Sequence, residues 1–112
     1  MNYRDVLIAD RRLCVLRTLA SAPERRANHA TLCDLLAVLG HSVSNEAMLA
    51  DLAWLEEMGL VACEVLAPGA RGCTVPTLTQ RGYDVALGRA QCPGVRRPLP
   101  GDMPDPEGTW LG

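Results

Sequence analysis

A chain of 112 residues with 48% hydrophobic and 21% charged residues has the composition of one globular domain with a single modest core. Its net charge of −2 argues against a strong generic attraction to nucleic acid, and no apolar run approaches the ~20 residues that cross a bilayer. The N-terminal residues mix charges and lead into an amphipathic helix rather than a secretory signal, so a cytoplasmic protein is expected.

The first helix is predicted from about Tyr3 to Ala20, with Asn2 as N-cap and Pro23 just past its end. Val6, Ala9, Leu13, Leu16 and Ala20 recur at helical spacing and form its expected buried stripe, leaving Arg4, Asp5 and Arg11 off it. A loop with Arg25 and Arg26 follows. Asn28 is placed to cap a second helix, about His29 to Leu39, whose apolar side holds Leu32, Leu35, Leu36 and Leu39. Gly40 ends that helix, and Ser44 caps a third from about Asn45 to Met58, closed by Gly59. Leu60 to Leu66 and Cys73 to Leu78 read as two strands joined by the turn Pro68-Gly69-Ala70-Arg71-Gly72, with Pro76 favouring an edge position. Thr79 caps a last helix expected from Gln80 to Ala90.

From Cys92 the composition shifts, since five of the eight prolines fall between Pro93 and Pro106. The chain therefore divides into a domain of residues 1–91 and a proline-rich arm of residues 92–112. The arm is expected to be extended or disordered unless something holds it; a strap folded back over its own domain is the alternative. Trp110 and Leu111 are apolar for a free tail.

The order helix, helix, helix, strand, strand, helix is that of a winged helix-turn-helix: mainly α, with a β-hairpin as the wing. The stretch Cys33-Asp34-Leu35, Leu39-Gly40, a serine-rich turn, then Leu52, Leu55 and Gly59-Leu60-Val61 resembles the helix-turn-helix of ArsR-type repressors, with a longer turn. Most of the chain resembles small winged-helix proteins of Mu-like transposable phages and prophages. That likeness rests on Asp10-Arg11-Arg12-Leu13, Asp51-Leu52-Ala53-Trp54-Leu55, Leu78-Thr79-x-Arg81-Gly82, Asp84-Val85-Ala86 and Pro93-Gly94-Val95-Arg96-Arg97-Pro98. The resemblance implies the fold, a phage context and, by analogy alone, transcriptional regulation through double-stranded DNA.

In such a fold the third helix would lie in the major groove. With Met48, Leu52 and Leu55 turned inward, its outward residues are Asn45, Glu46, Leu49, Ala50 and Ala53, preceded by Ser44. Asn45 suits adenine and Glu46 suits cytosine, but nothing on this face neutralises a phosphate, and Asp51, Glu56 and Glu57 add negative charge. Arg71 at the wing tip, with Arg25, Arg26 and Arg81, is the compensation on offer, doubled in a homodimer. The alternative is a protein-binding adaptor. It would use Leu49, Ala53 and Trp54 of the apolar third helix, or the arm through Arg96 and Arg97. Core filling under the hairpin is the expected fate of Trp54.

No catalytic constellation is visible. Cys14, Cys33, Cys63, Cys73 and Cys92 are scattered through apolar positions, with no Cys-x-x-Cys and no Cys/His cluster of zinc-ligand spacing. Cys63 and Cys73 would face each other across the hairpin as packing partners. His29 and His41 read as solvated residues at the ends of the second helix. Neither a metal, a cofactor nor an enzymatic activity is expected.

Overall fold

The computed structural model describes residues 2–66 and 73–99. Helix α1 spans Tyr3–Ser21, α2 His29–Val38 and α3 Asn45–Glu57; strands β1 Val61–Leu66 and β2 Cys73–Leu78 pair antiparallel, and α4 spans Gln80–Ala86. The architecture is thus mainly helical, four helices and one hairpin among the described residues. None of these helices is long and apolar enough to cross a membrane.

The four predicted N-caps hold. The side chains of Asn2, Asn28, Ser44 and Thr79 accept from the backbone N–H three residues on, at 2.9, 2.8, 3.1 and 3.0 Å, each worth ~1 kcal/mol. Gly40 and Gly59, at φ +96° and +78°, turn the chain after α2 and α3. Helix α4 is shorter than its expected end at Ala90: Leu87 caps it, and Gly88 at φ +81° redirects the chain.

Leu13, Leu16, Leu19, Leu32, Leu36, Met48, Leu52, Leu55 and Leu60 are all but inaccessible to solvent and form the core, joined by Val61, Leu78, Val85 and Ala86. The expected stripe of α1 is right from Leu13 onward and wrong at its start. Val6 is exposed together with Tyr3 and Leu7, because no element among the described residues covers the first two turns. Leu39 of the predicted α2 stripe is likewise exposed, as its position just past the last turn carries it beyond the core.

The hairpin register places Cys63 opposite Pro76 and Cys73 opposite Leu66, so the two cysteines do not face each other as the sequence suggested. A turn cannot be counted into register from strand boundaries alone. The Cys63 N–H donates to Glu56 Oε2 at 2.7 Å. The Cys63/Pro76 pair is therefore a non-hydrogen-bonded one, and the missing proline N–H costs the ladder nothing.

Of the arm, residues 92–99 are described, and they fold back on the domain. Cys92 and Val95 are buried, and the Arg96 N–H donates to Ala9 O of α1. Gly94, at φ +95°, lies so close on Trp54 that a Cβ there would meet the indole at 2.8 Å. Its backbone turn and the absent side chain are both needed. Trp110, Leu111 and the hairpin turn with Arg71 lie outside the described residues.

Candidate functional site

Helix α3 is anchored on three sides, and what remains is the candidate surface. Met48, Leu52 and Leu55 point into the core as expected. Ser44 caps the helix, Asn45 Oδ1 receives the Cys33 thiol at 3.5 Å, and Glu56 holds the start of the hairpin. Asn45, Glu46, Leu49, Ala50, Ala53 and Glu57 are exposed, on one side of the helix. This face is apolar in the middle and acidic at both ends, with no cation on it.

Asp51 departs from expectation. It is buried, 4% exposed, and its carboxylate takes both Nε and Nη2 of Arg11, with Arg12 Nε at 4.0 Å. Its charge is spent inside the molecule, between α1 and α3, and adds nothing to the outward face. The signal was present: Met48, Asp51, Leu52 and Leu55 follow i, i+3, i+4, i+7, so Asp51 occupies an inward position.

Two of the four arginines counted as phosphate contacts are engaged within the molecule. The Arg25 guanidinium stacks over Tyr83 at 3.7 Å, and Arg26 pairs with Glu64 at 3.6 Å while its backbone bridges to Thr77. Both tie the loop before α2 to the hairpin and α4. Arg97 is exposed, as is Arg81 at the start of α4.

Arg96, and Trp54 in its alternative reading as an interface residue, belong to an internal knot instead. The Arg12 guanidinium lies 3.8 Å over the Trp54 ring and donates to Gly94 O at 3.1 Å, while Arg96 pairs with Asp10. Trp54 thus packs under the arm. The segments Asp10-Arg11-Arg12, Asp51 to Trp54 and Gly94 to Arg96 all converge here.

Neither histidine is solvated. His29 Nδ1 accepts from the Thr74 N–H at 3.1 Å, fastening α2 to β2. His41 Nε2 lies 2.7 Å from Asp10 Oδ2, and the Cys14 thiol joins these two, so that Asp10, Cys14 and His41 present ligand-type atoms all within 4.8 Å of one another. Burial raises the Asp10 carboxyl, but the hydrogen bonds from His41 and Arg96 and the charge of Arg96 outweigh it, and the net shift is downward. Asp10 and Cys14 stand one helical turn apart, but His41 lies far along the chain and alone in a turn, so the three give no spacing motif. Elsewhere burial, helped by Glu56, pushes the Cys63 thiol up to about 11, and burial with Asp34 raises Cys33. Both stay protonated near neutrality and are poor nucleophiles.

No protein-family model matches the chain. It is 46% identical over 96 residues to the uncharacterized protein gp26 of Escherichia phage Mu, covering 86% of this chain and 95% of that protein. It is 37% identical over 81 residues to an uncharacterized protein of Haemophilus influenzae, covering 72% and 76% respectively.

Proposed function

The chain belongs to the family of the phage Mu protein gp26, and from that premise we propose that it is a small winged-helix protein of a Mu-like phage. It works by binding rather than catalysis, with the outward face of α3 as its contact surface. The winged-helix reading is supported by the order α2, turn, α3, hairpin, and by Glu56 near the end of α3 accepting from the Cys63 N–H of β1. The observation that carries the choice of ligand is the chemistry of the face: Leu49, Ala50 and Ala53 between Glu46 and Glu57, without a cation. That composition suits a protein surface with an apolar centre and basic edges. A second copy of α3 is a poor match, because an antiparallel pairing sets Glu46 against Glu57.

The homodimer forms elsewhere, through the uncovered start of α1. Tyr3, Val6 and Leu7 are exposed at i, i+3, i+4, and the adjacent Arg4 and Asp5 can pair reciprocally across a two-fold axis. Val6→Asp is expected to convert dimer to monomer in sedimentation velocity without lowering the melting temperature. A wild-type chain that sediments as a monomer at high concentration would sink the dimer.

The second reading is a transcriptional regulator that binds duplex DNA through the same face, with Asn45 and Glu46 at base edges and Arg71 on phosphate. It is favoured by one observation, the inward neutralisation of Asp51 by Arg11, which removes a negative charge from the face. Fluorescence-anisotropy titration with mixed-sequence duplex at ~50 mM and ~200 mM salt separates the two, since phosphate contacts are lost over that range. We expect no binding at the lower salt. A partner copurifying from phage-producing cells should be lost in Leu49→Asp with the melt unchanged. Micromolar duplex binding that collapses at the higher salt would reverse the order of the two readings.

A further inference from the structure

We infer that Asp10, Cys14 and His41 form a binding site for a divalent metal ion of zinc's class, set between α1 and the turn that leads into α3. Asp10 and Cys14 stand one helical turn apart, so both side chains leave α1 on the same face. His41 is brought to them by backbone: Gly40 takes φ +96°, and the His41 N–H donates to Leu36 O at 2.8 Å. The Asp10 Oδ2, Cys14 Sγ and His41 Nε2 atoms lie within 4.8 Å of one another, the one such group of three among the described residues.

The donor set chooses the ion. A thiolate, an imidazole and a single carboxylate oxygen match zinc, and they match poorly the all-oxygen preference of magnesium or calcium. Arg96 occupies Asp10 Oδ1, which leaves Oδ2 as a monodentate ligand held in orientation by an outer hydrogen bond. The guanidinium opposes an incoming cation, but the Asp10 carboxylate and the Cys14 thiolate supply two negative charges against its one. A water completes a four-coordinate ion. On binding, Cys14 releases its thiol proton, and the proton that His41 Nε2 shares with Asp10 moves to Nδ1 or to solvent. The 2.7 Å contact between His41 and Asp10 opens to the ~3.3 Å that separates two ligands on a tetrahedral zinc. The Cys14 Sγ, within 4.8 Å of both partners, closes to the ~3.6 Å of a sulfur–nitrogen pair on the same ion, a movement of up to about 1 Å that side-chain rotation supplies. The ion would fix the turn before α3 to α1, and so the angle at which the α3 face is presented.

Cobalt(II) is the probe, titrated into the full reduced chain. The expected result is one equivalent bound, with a thiolate-to-cobalt charge-transfer band, strong visible bands of a tetrahedral centre, and displacement by zinc. Cys14→Ser and His41→Gln should each weaken binding by more than about 100-fold, whereas Cys33→Ser and Cys63→Ser should leave it unchanged. A wild-type chain without the charge-transfer band, or a band that survives Cys14→Ser, overturns the assignment. Cys14 is buried, and its substitution can disturb folding. X-ray absorption on the zinc-loaded wild type avoids that difficulty. One sulfur at ~2.3 Å with nitrogen and oxygen at ~2.0 Å is expected, and a shell of nitrogen and oxygen alone refutes the site.

Discussion

Gly82→Ala is expected to destabilise the protein by about 3 kcal/mol and to loosen α4 from the core. The backbone conformation at Gly82 is ordinary, so the cause is space. A Cβ there would lie 2.0 Å from Leu60 O, 2.7 Å from Leu78 Cδ1 and 3.0 Å from Leu60 C. The Leu60 carbonyl cannot easily retreat, because it accepts from the Thr79 N–H and the Leu60 N–H is itself bound to Leu55 O. Thr79 adds a second tie, donating its hydroxyl to Gly59 O while accepting from Gly82 N. Helix α4 must therefore withdraw by roughly 1 Å, taking Val85 and Ala86 from close packing. Ala is a better helix former than Gly by ~1 kcal/mol, and an open site would show that gain as added stability. Here the clash wins, and urea denaturation reads the sign directly. A variant as stable as wild type would mean that α4 does not sit on Leu60 in this way.

The local code was legible and the pairings between distant residues were not. The four caps, the glycine stops and the inward residues of α3 follow from spacing and side-chain chemistry within a few residues, which is all that a single sequence displays. Asp51 reads as exposed from sequence because a carboxylate is by default a surface residue; its partner Arg11 stands forty positions away and on a different helix. His41 looked solvated for the same reason, since Asp10 and Cys14 reach it only once α1 and α2 have packed. The arm was hidden by its prolines. Besides Trp110 and Leu111, Cys92 and Val95, apolar and three apart, are local signs of docking, and the turn at Gly94 that seats the arm on Trp54 becomes visible only with the indole in place. Spacing shows which residues of α3 face outward, but not that Asp51 turns in to Arg11 and leaves the outward charge to the glutamates. That bears on function, because the face is less acidic than the helix that carries it.

Arg11→Met is expected to cost about 3 kcal/mol, while Arg11→Met combined with Asp51→Leu recovers most of the loss. In the wild type the Asp51 carboxylate is buried and doubly bonded to Arg11, a geometry in which both oxygens are satisfied. Removing Arg11 leaves Arg12 Nε at 4.0 Å as the remaining positive group, and Arg12 is already committed to Trp54 and Gly94. An uncompensated charge then sits between α1 and α3. Replacing both partners by apolar side chains removes the charge along with its partner, and the desolvation cost disappears with it. Equilibrium unfolding of the two single variants and the double closes the cycle, and a coupling energy below ~0.5 kcal/mol would refute the pair. The same cycle separates structure from binding. The double variant keeps Glu46, Leu49, Ala50 and Ala53 untouched while discarding the ion pair that carries α3 on α1. If it folds and still binds its partner, the outward face acts on its own chemistry. If it folds and no longer binds, the angle imposed by Arg11 and Asp51 is part of what the partner recognises.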